Sequence, residues 1–366
     1  MTTDAELSRR ARAGTRVAVV VIGAGQAGLS AAYHLSRTEL RPGTDFVVLD
    51  DSPGPGGAWQ HRWASLTMER AHGVHELPGM ALPDVAPDAR ASAAVPAYFG
   101  EYERALDLPV VRPVRVRAIR DDGSGLVVET DRGTWRTSAV VNATGTWQKP
   151  FWPSYPGRAE FAGRQLHSRD FRSAHEFLGQ HVVVVGGGTS AVQQLLEIAP
   201  VTTTTWVTRR PPVFEPELDE DTLRAAVARV DERTRAGLPP QSVVSVTGLP
   251  LTEENRRGIE DGVLRRLPMF ERLAPDGVVW AEGDVPPAPE HLRADVVLWA
   301  TGFRPSLDHL APLRLSEPGG GIHMDGTEVV RDPRVQLVGY GPSASTVGAN
   351  RAGRDAVRNL RRLLGF

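Results

Sequence analysis

Two glycine-rich turns are the parts of this sequence best suited to chemistry. The first, Gly23-Ala24-Gly25-Gln26-Ala27-Gly28, follows the apolar run 17–22, and the second, Gly186-Gly187-Gly188-Thr189-Ser190, follows the apolar run 182–185. Between a strand and a helix, such glycines let the backbone approach a pyrophosphate, which binds the N–H groups at the helix N-terminus. Two such turns predict two bound dinucleotides, as electron transfer between a nicotinamide and a flavin requires.

The residues that end the next strand of each unit differ in charge. Asp50 ends a strand predicted over 46–50, at the spacing of about twenty residues beyond Gly28 where a carboxylate accepts hydrogen bonds from a ribose diol. Arg209 and Arg210 follow the strand 203–208, and guanidinium groups there would bind the 2′-phosphate of NADP. A plain surface arginine pair is the alternative. The sequence predicts FAD at the first turn and NADPH at the second.

Composition excludes several classes of protein. The 366 residues carry a net charge of −2 without a basic stripe, so nucleic-acid binding is not expected. No cysteine is present, which excludes electron transfer through a thiol pair and thiolate ligation of a metal. No metal site is predicted. The N-terminal sequence lacks the apolar core of a secretory signal, so we expect a cytoplasmic protein without a membrane span.

The order of predicted elements indicates an α/β fold with two Rossmann-like dinucleotide-binding domains, each a three-layer ββα arrangement. The NADP domain is inserted into the FAD domain. We expect a flexible N-terminal arm over 1–16 and an FAD-binding domain formed by 17–153 and 292–366. The NAD(P)-binding domain is predicted over 154–291, with a helical insertion at about 217–274 that shapes substrate access.

Other candidate cofactor-binding residues lie in loops. Gly57 would let the backbone lie against a flat ring, and Trp59 would flank that ring. An Ala-Thr-Gly ending occurs twice, and a last helix, predicted over about 347–364, would direct its N-terminus at the reduced flavin. The candidates from these last two features are Thr144, Gly145, Thr301, Gly302, Ser345 and Thr346.

A segment before the second glycine turn carries a family resemblance. Phe161, Gly163, His167 and Phe171 match an F-x-G-x-x-x-H-x-x-x-(F/Y/W) signature. Taken alone, these residues would be a loop with one histidine and core aromatic side chains. Between two dinucleotide turns, the segment resembles the class B flavin-dependent monooxygenases, and its last residue is similar to the flavin-containing monooxygenase and YUCCA branch. The resemblance covers nearly the whole chain.

The resemblance implies an NADPH-dependent monooxygenase that contains FAD. Hydride would pass from NADPH to FAD, and a C4a-(hydro)peroxyflavin formed with O₂ would oxygenate a small molecule, either at nitrogen or sulfur or at a carbonyl or 2-oxo acid. The residues implied at the chemistry are His167, Phe171 and Glu69. We expect His167 to organise the domain junction without transferring protons, while Glu69 falls where the family often carries asparagine.

Two other functions stay open at the level of sequence. One is an NAD(P)H-dependent flavoprotein reductase that passes electrons to a partner protein or a quinone. The other is a catalytically inactive redox or nucleotide sensor. The sequence does not choose between heteroatom, Baeyer–Villiger and decarboxylative oxygenation, and a homodimer is also left open.

Overall fold

A computed structural model describes residues 14–71, 73–215, 220–241, 248–281 and 288–366. Most of the predicted N-terminal arm (1–16) and parts of the predicted insertion (about 217–274) lie outside the described residues. Among the described helices, none combines the length and the apolar character needed to cross a membrane.

Strands outnumber helices among the described elements. In chain order, the strands are β1 Arg16–Ile22, β2 Phe46–Leu49, β3 Val110–Val111, β4 Val116–Asp121, β5 Leu126–Thr130, β6 Gly133–Asn142, β7 Arg164–His167, β8 Val182–Val185, β9 Thr204–Val207, β10 Phe214–Glu215, β11 Leu249–Pro250, β12 Arg266–Leu267, β13 Arg272–Ala274, β14 Gly277–Val279, β15 His291–Arg293, β16 Val296–Trp299, β17 Met324–Asp325, β18 Glu328–Val329 and β19 Val335–Leu337. The α-helices are α1 Gln26–Leu35, α2 Ala91–Ala105, α3 Thr189–Ile198, α4 Glu220–Arg235, α5 Glu253–Glu260 and α6 Thr346–Leu364.

The described residues form two compact units. The first contains 14–146, 227–241 and 305–366, and the second contains the described parts of 147–226 and 248–304. Along the chain, the second unit is therefore inserted into the first. The return crossing was predicted at 292, whereas the structure places it after Arg304, because β16 is a strand of the second unit's sheet.

The first unit is built on a parallel sheet in the order β3-β2-β1-β6-β19. β4 and β5 extend β6 as an antiparallel meander. Residues of β1 alternate between two cores: Val19 and Val21 face the cluster that includes helices α1 and α6, while Val20 and Ile22 face the cluster that includes the meander. This is a three-layer arrangement.

The second unit has a parallel sheet in the order β12-β9-β8-β16-β7. The central strands β8 and β16 are buried throughout and consist of apolar residues, as expected where both faces of a parallel sheet are covered. A short antiparallel sheet, β13-β14-β15, contributes Leu273 and Val278 to the hydrophobic core that also contains residues of β8 and β16. The two Rossmann-like sheets confirm the predicted fold class.

The C-terminal part of helix α4 belongs to the first unit. The whole insertion had been predicted to belong to the second domain. A side chain at Gly341 would lie 2.8 Å from the methyl group of the fully buried Thr234. The backbone oxygen of Gly237 accepts a hydrogen bond from the N–H of Gly321. Residues 227–241 therefore pack beside the segment that leads into α6.

Candidate functional site

The first glycine turn lies at the carboxyl end of β1. Gly23 has φ 97°, and a Cβ there would lie 2.6 Å from the backbone oxygen of Ala143. A Cβ on Gly28 would lie 1.8 Å from the backbone oxygen of Gly23, so only glycine lets α1 pack this closely on the turn. Gly25 is the N-cap of α1 and supplies no side-chain acceptor. The first N–H groups of the helix therefore keep their capacity for an anion.

A second backbone loop lies against this turn. Gly57 has φ 52°, and a Cβ there would lie 3.0 Å from the Cα of Gly25. Trp59 sits in the short 3₁₀ helix that begins at Gly57, half-buried against the core, with the Arg62 guanidinium 5.7 Å from its ring centroid. Two stretches of bare backbone, at Gly25 and Gly57, thus meet beside an aromatic ring.

Asp50 follows the last residue of β2 and is 4% exposed. Its Oδ2 accepts a hydrogen bond from Nη2 of Arg112 at 3.1 Å, and its Oδ1 accepts one from the N–H of Ser52 at 3.2 Å. Arg112 also forms a two-pronged pair with Glu103, at 2.5 and 2.8 Å. Arg112 and Glu103 were not among the residues predicted from sequence, because no local pattern links them to a residue on another strand.

The N-terminal turn of α6 lies beside that of α1. Nε2 of Gln26 donates to Oδ1 of Asn350 at 2.8 Å, and Oγ of Ser30 donates to the backbone oxygen of Asn350 at 3.0 Å. The Ser345 hydroxyl caps α6 by accepting from the N–H of Gly348. Thr346 is the first residue of the helix, and its side chain lies outside the described part of the structure. The N-terminal turns of two helices thus meet in one unit, with partial positive charge at each.

The second glycine turn has the same construction. Gly186 has φ 146°, and a Cβ there would lie 2.2 Å from the backbone oxygen of Ala300. Nε1 of Trp206 donates to the backbone oxygen of Gly186 at 2.6 Å and fixes the turn. Gly188 is the N-cap of α3 without a side-chain acceptor, and a Cβ built on it would have no described atom within 4 Å apart from those of Gly188 and its two chain neighbours. Thr189 and Ser190 form the half-buried first turn of the helix.

The strand register shows which residue of the second unit is equivalent to Asp50. Leu49 pairs with Ile22 just before the first turn, and Val207 pairs with Val185 just before the second. The residue equivalent to Asp50 is therefore Thr208, a hydroxyl residue that was not among the sequence candidates. Its hydroxyl donates to the backbone oxygen of Arg210 at 2.8 Å.

Arg209 and Arg210 follow Thr208 and are both exposed. Within the described residues, neither guanidinium group has a carboxylate partner. Two cations beside an uncapped helix N-terminus are suited to a ligand with several phosphates.

His167 is fully buried at the end of β7, and both of its ring nitrogens bond to backbone groups. Nε2 donates to the backbone oxygen of Gly302 at 3.0 Å, and Nδ1 accepts from the N–H of Arg169 at 3.1 Å. Burial lowers the pKa of His167, so the ring is neutral near pH 7. The ring therefore joins two loops of the second unit and has no nitrogen left for proton transfer.

Phe171 packs within the second unit, and Glu69 is exposed on the first. Phe171 is 1% exposed and stacks on Phe177 with ring centroids 6.0 Å apart, so it is a packing residue of the second unit and not a reactive one. Glu69 is exposed, and its backbone N–H donates to the backbone oxygen of Pro87. Its loop is held by backbone pairing, and the carboxylate points away from the buried core.

Each Ala-Thr-Gly segment is fixed through its threonine. The Thr144 hydroxyl donates to the backbone oxygen of Ser306 at 2.6 Å, and the Thr301 hydroxyl donates to that of Phe151 at 2.5 Å. Gly145 has φ 59° and Gly302 has φ 81°, so both glycines adopt the left-handed conformation. In each unit the segment directly abuts a glycine turn, through its alanine carbonyl.

A second buried histidine supports the first of these segments. Nε2 of His309 donates to Oδ1 of Asn142 at 2.7 Å, and the amide nitrogen of Asn142 lies 3.1 Å from the Thr144 hydroxyl. Burial lowers the pKa of His309 to about 4. No pattern in the sequence points to this residue, which lies far along the chain from Asn142.

These features fit two dinucleotides of different kinds. The first turn offers an uncapped helix N-terminus, bare backbone at Gly57 and a buried carboxylate at Asp50, which suits a ribose diol. The second turn offers an uncapped helix N-terminus and exposed guanidinium groups, which suit a phosphorylated ribose. Among the described residues, no group of three or more histidine, cysteine or acidic side chains is arranged to hold a metal ion.

Comparison with known proteins gives one family and several relatives. The model of the family described as pyridine nucleotide-disulphide oxidoreductase matches residues 20–232. A flavin-containing monooxygenase from Stenotrophomonas maltophilia has a similar structure, with a TM-score of 0.80 and 36% sequence identity. That match covers 96% of this chain and 99% of the Stenotrophomonas chain.

Two curated proteins match over part of their length. The oxidoreductase CzcO of Bacillus velezensis is 28% identical over 197 residues, which cover 54% of this chain and 56% of that protein. A Baeyer-Villiger monooxygenase of Streptomyces coelicolor is 31% identical over 263 residues, which cover 68% of this chain and 45% of that protein. The chain thus spans about half the length of these two relatives.

Proposed function

The chain belongs to the pyridine nucleotide-disulphide oxidoreductase family and, within it, to the flavin-dependent monooxygenases, and we propose that it is an NADPH-dependent enzyme that uses FAD to oxygenate a small organic molecule with O₂. The observation that carries the cofactor assignment is the opposite charge beside two otherwise similar glycine turns. Asp50 favours the ribose diol of FAD, while Arg209 and Arg210 favour NADPH.

Each part of the chain has a definable task in this proposal. The N–H groups that begin α1 bind the pyrophosphate of FAD, and the backbone at Gly57 with the ring of Trp59 holds the flavin. The N-terminus of α6 stabilises negative charge on the reduced ring. The N–H groups that begin α3 bind the pyrophosphate of NADPH. His167 keeps the loop at Gly302 in place without taking up a proton, because both its nitrogens are already bonded.

The bound cofactors would supply the reactive chemistry, which is hydride transfer from NADPH to FAD and activation of O₂. The protein residues bind and orient the cofactors and exclude water from them. No thiol route for the electrons exists, because the chain has no cysteine. The proposed substrate class follows from the family: an amine nitrogen, a sulfur, a carbonyl or a 2-oxo acid.

The test is product analysis with FAD-loaded protein, NADPH, O₂ and a panel of amines, sulfides, ketones and 2-oxo acids. We expect one panel member to give an oxygenated product in an amount that approaches the NADPH consumed, with little hydrogen peroxide. If every compound leaves NADPH consumption matched by peroxide alone, oxygenation is wrong, and a reductase that delivers electrons elsewhere becomes the better account. A protein that binds both nucleotides without oxidising NADPH would be a sensor.

A further inference from the structure

An arginine outside the predicted 2′-phosphate pair reaches the same end of the second sheet. Arg266 lies in the edge strand β12, where it pairs with Trp206 of β9. Its side chain extends along the strand, and Nη1 donates to the backbone oxygen of Thr208 at 3.3 Å. The guanidinium therefore lies beside the residue that immediately precedes Arg209 and Arg210.

In the first unit, an arginine near the position equivalent to Arg266 is paired with carboxylates. Arg112 follows the edge strand β3, which pairs with β2 as β12 pairs with β9. The backbone contacts correspond: the N–H of Asp50 donates to Val111, and the N–H of Thr208 donates to Leu267, both at 3.1 Å. Arg112 is paired through its two terminal nitrogens with the carboxylates of Asp50 and Glu103, so it adds no net positive charge to the site.

Among the residues that the structure describes, Arg266 has no carboxylate partner. Within the described part of the chain, its polar contact is the Thr208 carbonyl, an uncharged acceptor that uses one of five N–H donors. The side chain is half-buried, so its charge is screened less than that of a fully exposed arginine. A half-buried guanidinium with unused donors, beside two further arginines, is arranged for a doubly charged anion.

We propose that Arg266 is a third cationic group for the 2′-phosphate of NADPH and thereby a determinant of the preference for NADPH over NADH. This inference rests on the proposed function, because it assumes that NADPH binds at the second glycine turn. It adds a residue from a separate strand to the pair that follows β9.

The test compares Arg266→Gln with Arg265→Gln, since Arg265 is the exposed neighbour and lacks the contact with Thr208. Dissociation constants for NADP⁺ and NAD⁺ are measured by titrating the FAD-loaded proteins. We expect Arg266→Gln to weaken NADP⁺ binding about tenfold and to leave NAD⁺ binding within about twofold, as for loss of one charged contact to phosphate. Arg265→Gln should leave both constants within about twofold.

A purely structural role gives a different result. If Arg266 only holds the Thr208 loop, Arg266→Gln weakens NADP⁺ and NAD⁺ equally, and the inference is overturned. Arg266→Lys keeps the charge and should retain most of the preference. Arg266→Met provides a second uncharged variant, with a stem that packs along the strand, if the glutamine variant does not fold.

Failure of this inference can be separated from failure of the proposed function. Arg209→Gln serves as the reference, since the proposed function requires it to weaken NADP⁺ binding selectively. If Arg209→Gln is selective and Arg266→Gln is not, only the role of Arg266 is wrong. If neither variant is selective, the assignment of NADPH to the second turn fails as well.

Discussion

The two glycine turns of this chain are built alike and differ in what surrounds them. In each, a glycine with positive φ abuts the carbonyl of an Ala-Thr-Gly segment, and the following helix begins without a side-chain cap. In the first unit a buried carboxylate, Asp50, stands at the end of the neighbouring strand, whereas in the second unit the hydroxyl of Thr208 stands there with arginines around it. In our proposal, the backbone binds the pyrophosphate in both units, and the charge beside each turn selects the dinucleotide.

The largest effect is expected at the buried ion pairs of the first unit. Arg112→Leu would leave Asp50 and Glu103 without their cation, and breaking a buried pair in this way costs about 3–5 kcal/mol of unfolding free energy. Arg115→Leu is the matched control, because it breaks an exposed ion pair instead of a buried one. The Arg115 side chain is 68% exposed, and its Nε lies 3.8 Å from Oδ2 of Asp51. Urea unfolding of the FAD-saturated proteins measures the unfolding free energy of both variants. Similar small losses in the two variants would mean that Arg112 does not stabilise Asp50.

The next effect concerns the histidine that supports the first Ala-Thr-Gly segment. The pKa of His309 falls from 6.5 to about 4 in the folded protein, so its contribution to stability is present above pH 6.5 and is lost as the pH falls toward 4. At pH 5 this loss amounts to about 2 kcal/mol. His309→Gln can still donate to Asn142 and should remove this part of the pH dependence.

Unfolding free energies at pH 7.5 and pH 5 test this prediction. The exposed His75 provides a control variant, His75→Gln, which should keep the wild-type pH dependence. An unchanged acid loss in His309→Gln would show that the histidine is not held neutral by burial.

A similar effect is expected for FAD binding at Asp50. Asp50→Asn keeps the shape of the side chain and removes the charge, so the flavin dissociation constant should rise about 10–100-fold, as for loss of charge-assisted hydrogen bonds. Asp51→Asn, at the adjacent half-buried position, should change it by no more than about twofold. If both variants bind FAD equally well, Asp50 does not bind the ribose.

A smaller and more selective effect is expected at the second turn. Arg209→Ala should weaken NADPH binding about tenfold and leave NADH binding nearly unchanged, because only NADPH carries the 2′-phosphate. Michaelis constants for the two cofactors measure the difference. Equal weakening of NADPH and NADH binding would mean that Arg209 does not recognise the 2′-phosphate. The difference in charge between the two turns would then not explain the choice of dinucleotide.

The sequence predicted the features that depend on local order along the chain. The strand–turn–helix units and the last helix could be recognised because apolar runs and glycines are local patterns. Thr208 was not among the predicted residues, because counting from a glycine, as for Asp50, does not account for the lengths of the helix and loop in between. Only the strand pairing of Val207 with Val185 places Thr208 at the position equivalent to Asp50.

Contacts between distant segments could not be predicted in the same way. Arg112, His309 and Arg266 each act on a residue that is far along the chain, and none belongs to a spaced motif. Phe171 matched a motif, yet the structure uses it for packing against Phe177. A motif identifies a position, whereas burial and hydrogen bonds decide what the side chain does there.

The most direct test of the two-cofactor account is an anaerobic titration of the FAD-loaded protein with NADPH, followed by visible absorption of the flavin. The account predicts that the yellow absorption is lost in proportion to the NADPH added, with an end point at one NADPH per FAD. Flavin that stays oxidised with excess NADPH, or that is reduced equally well by NADH at low concentration, would contradict it.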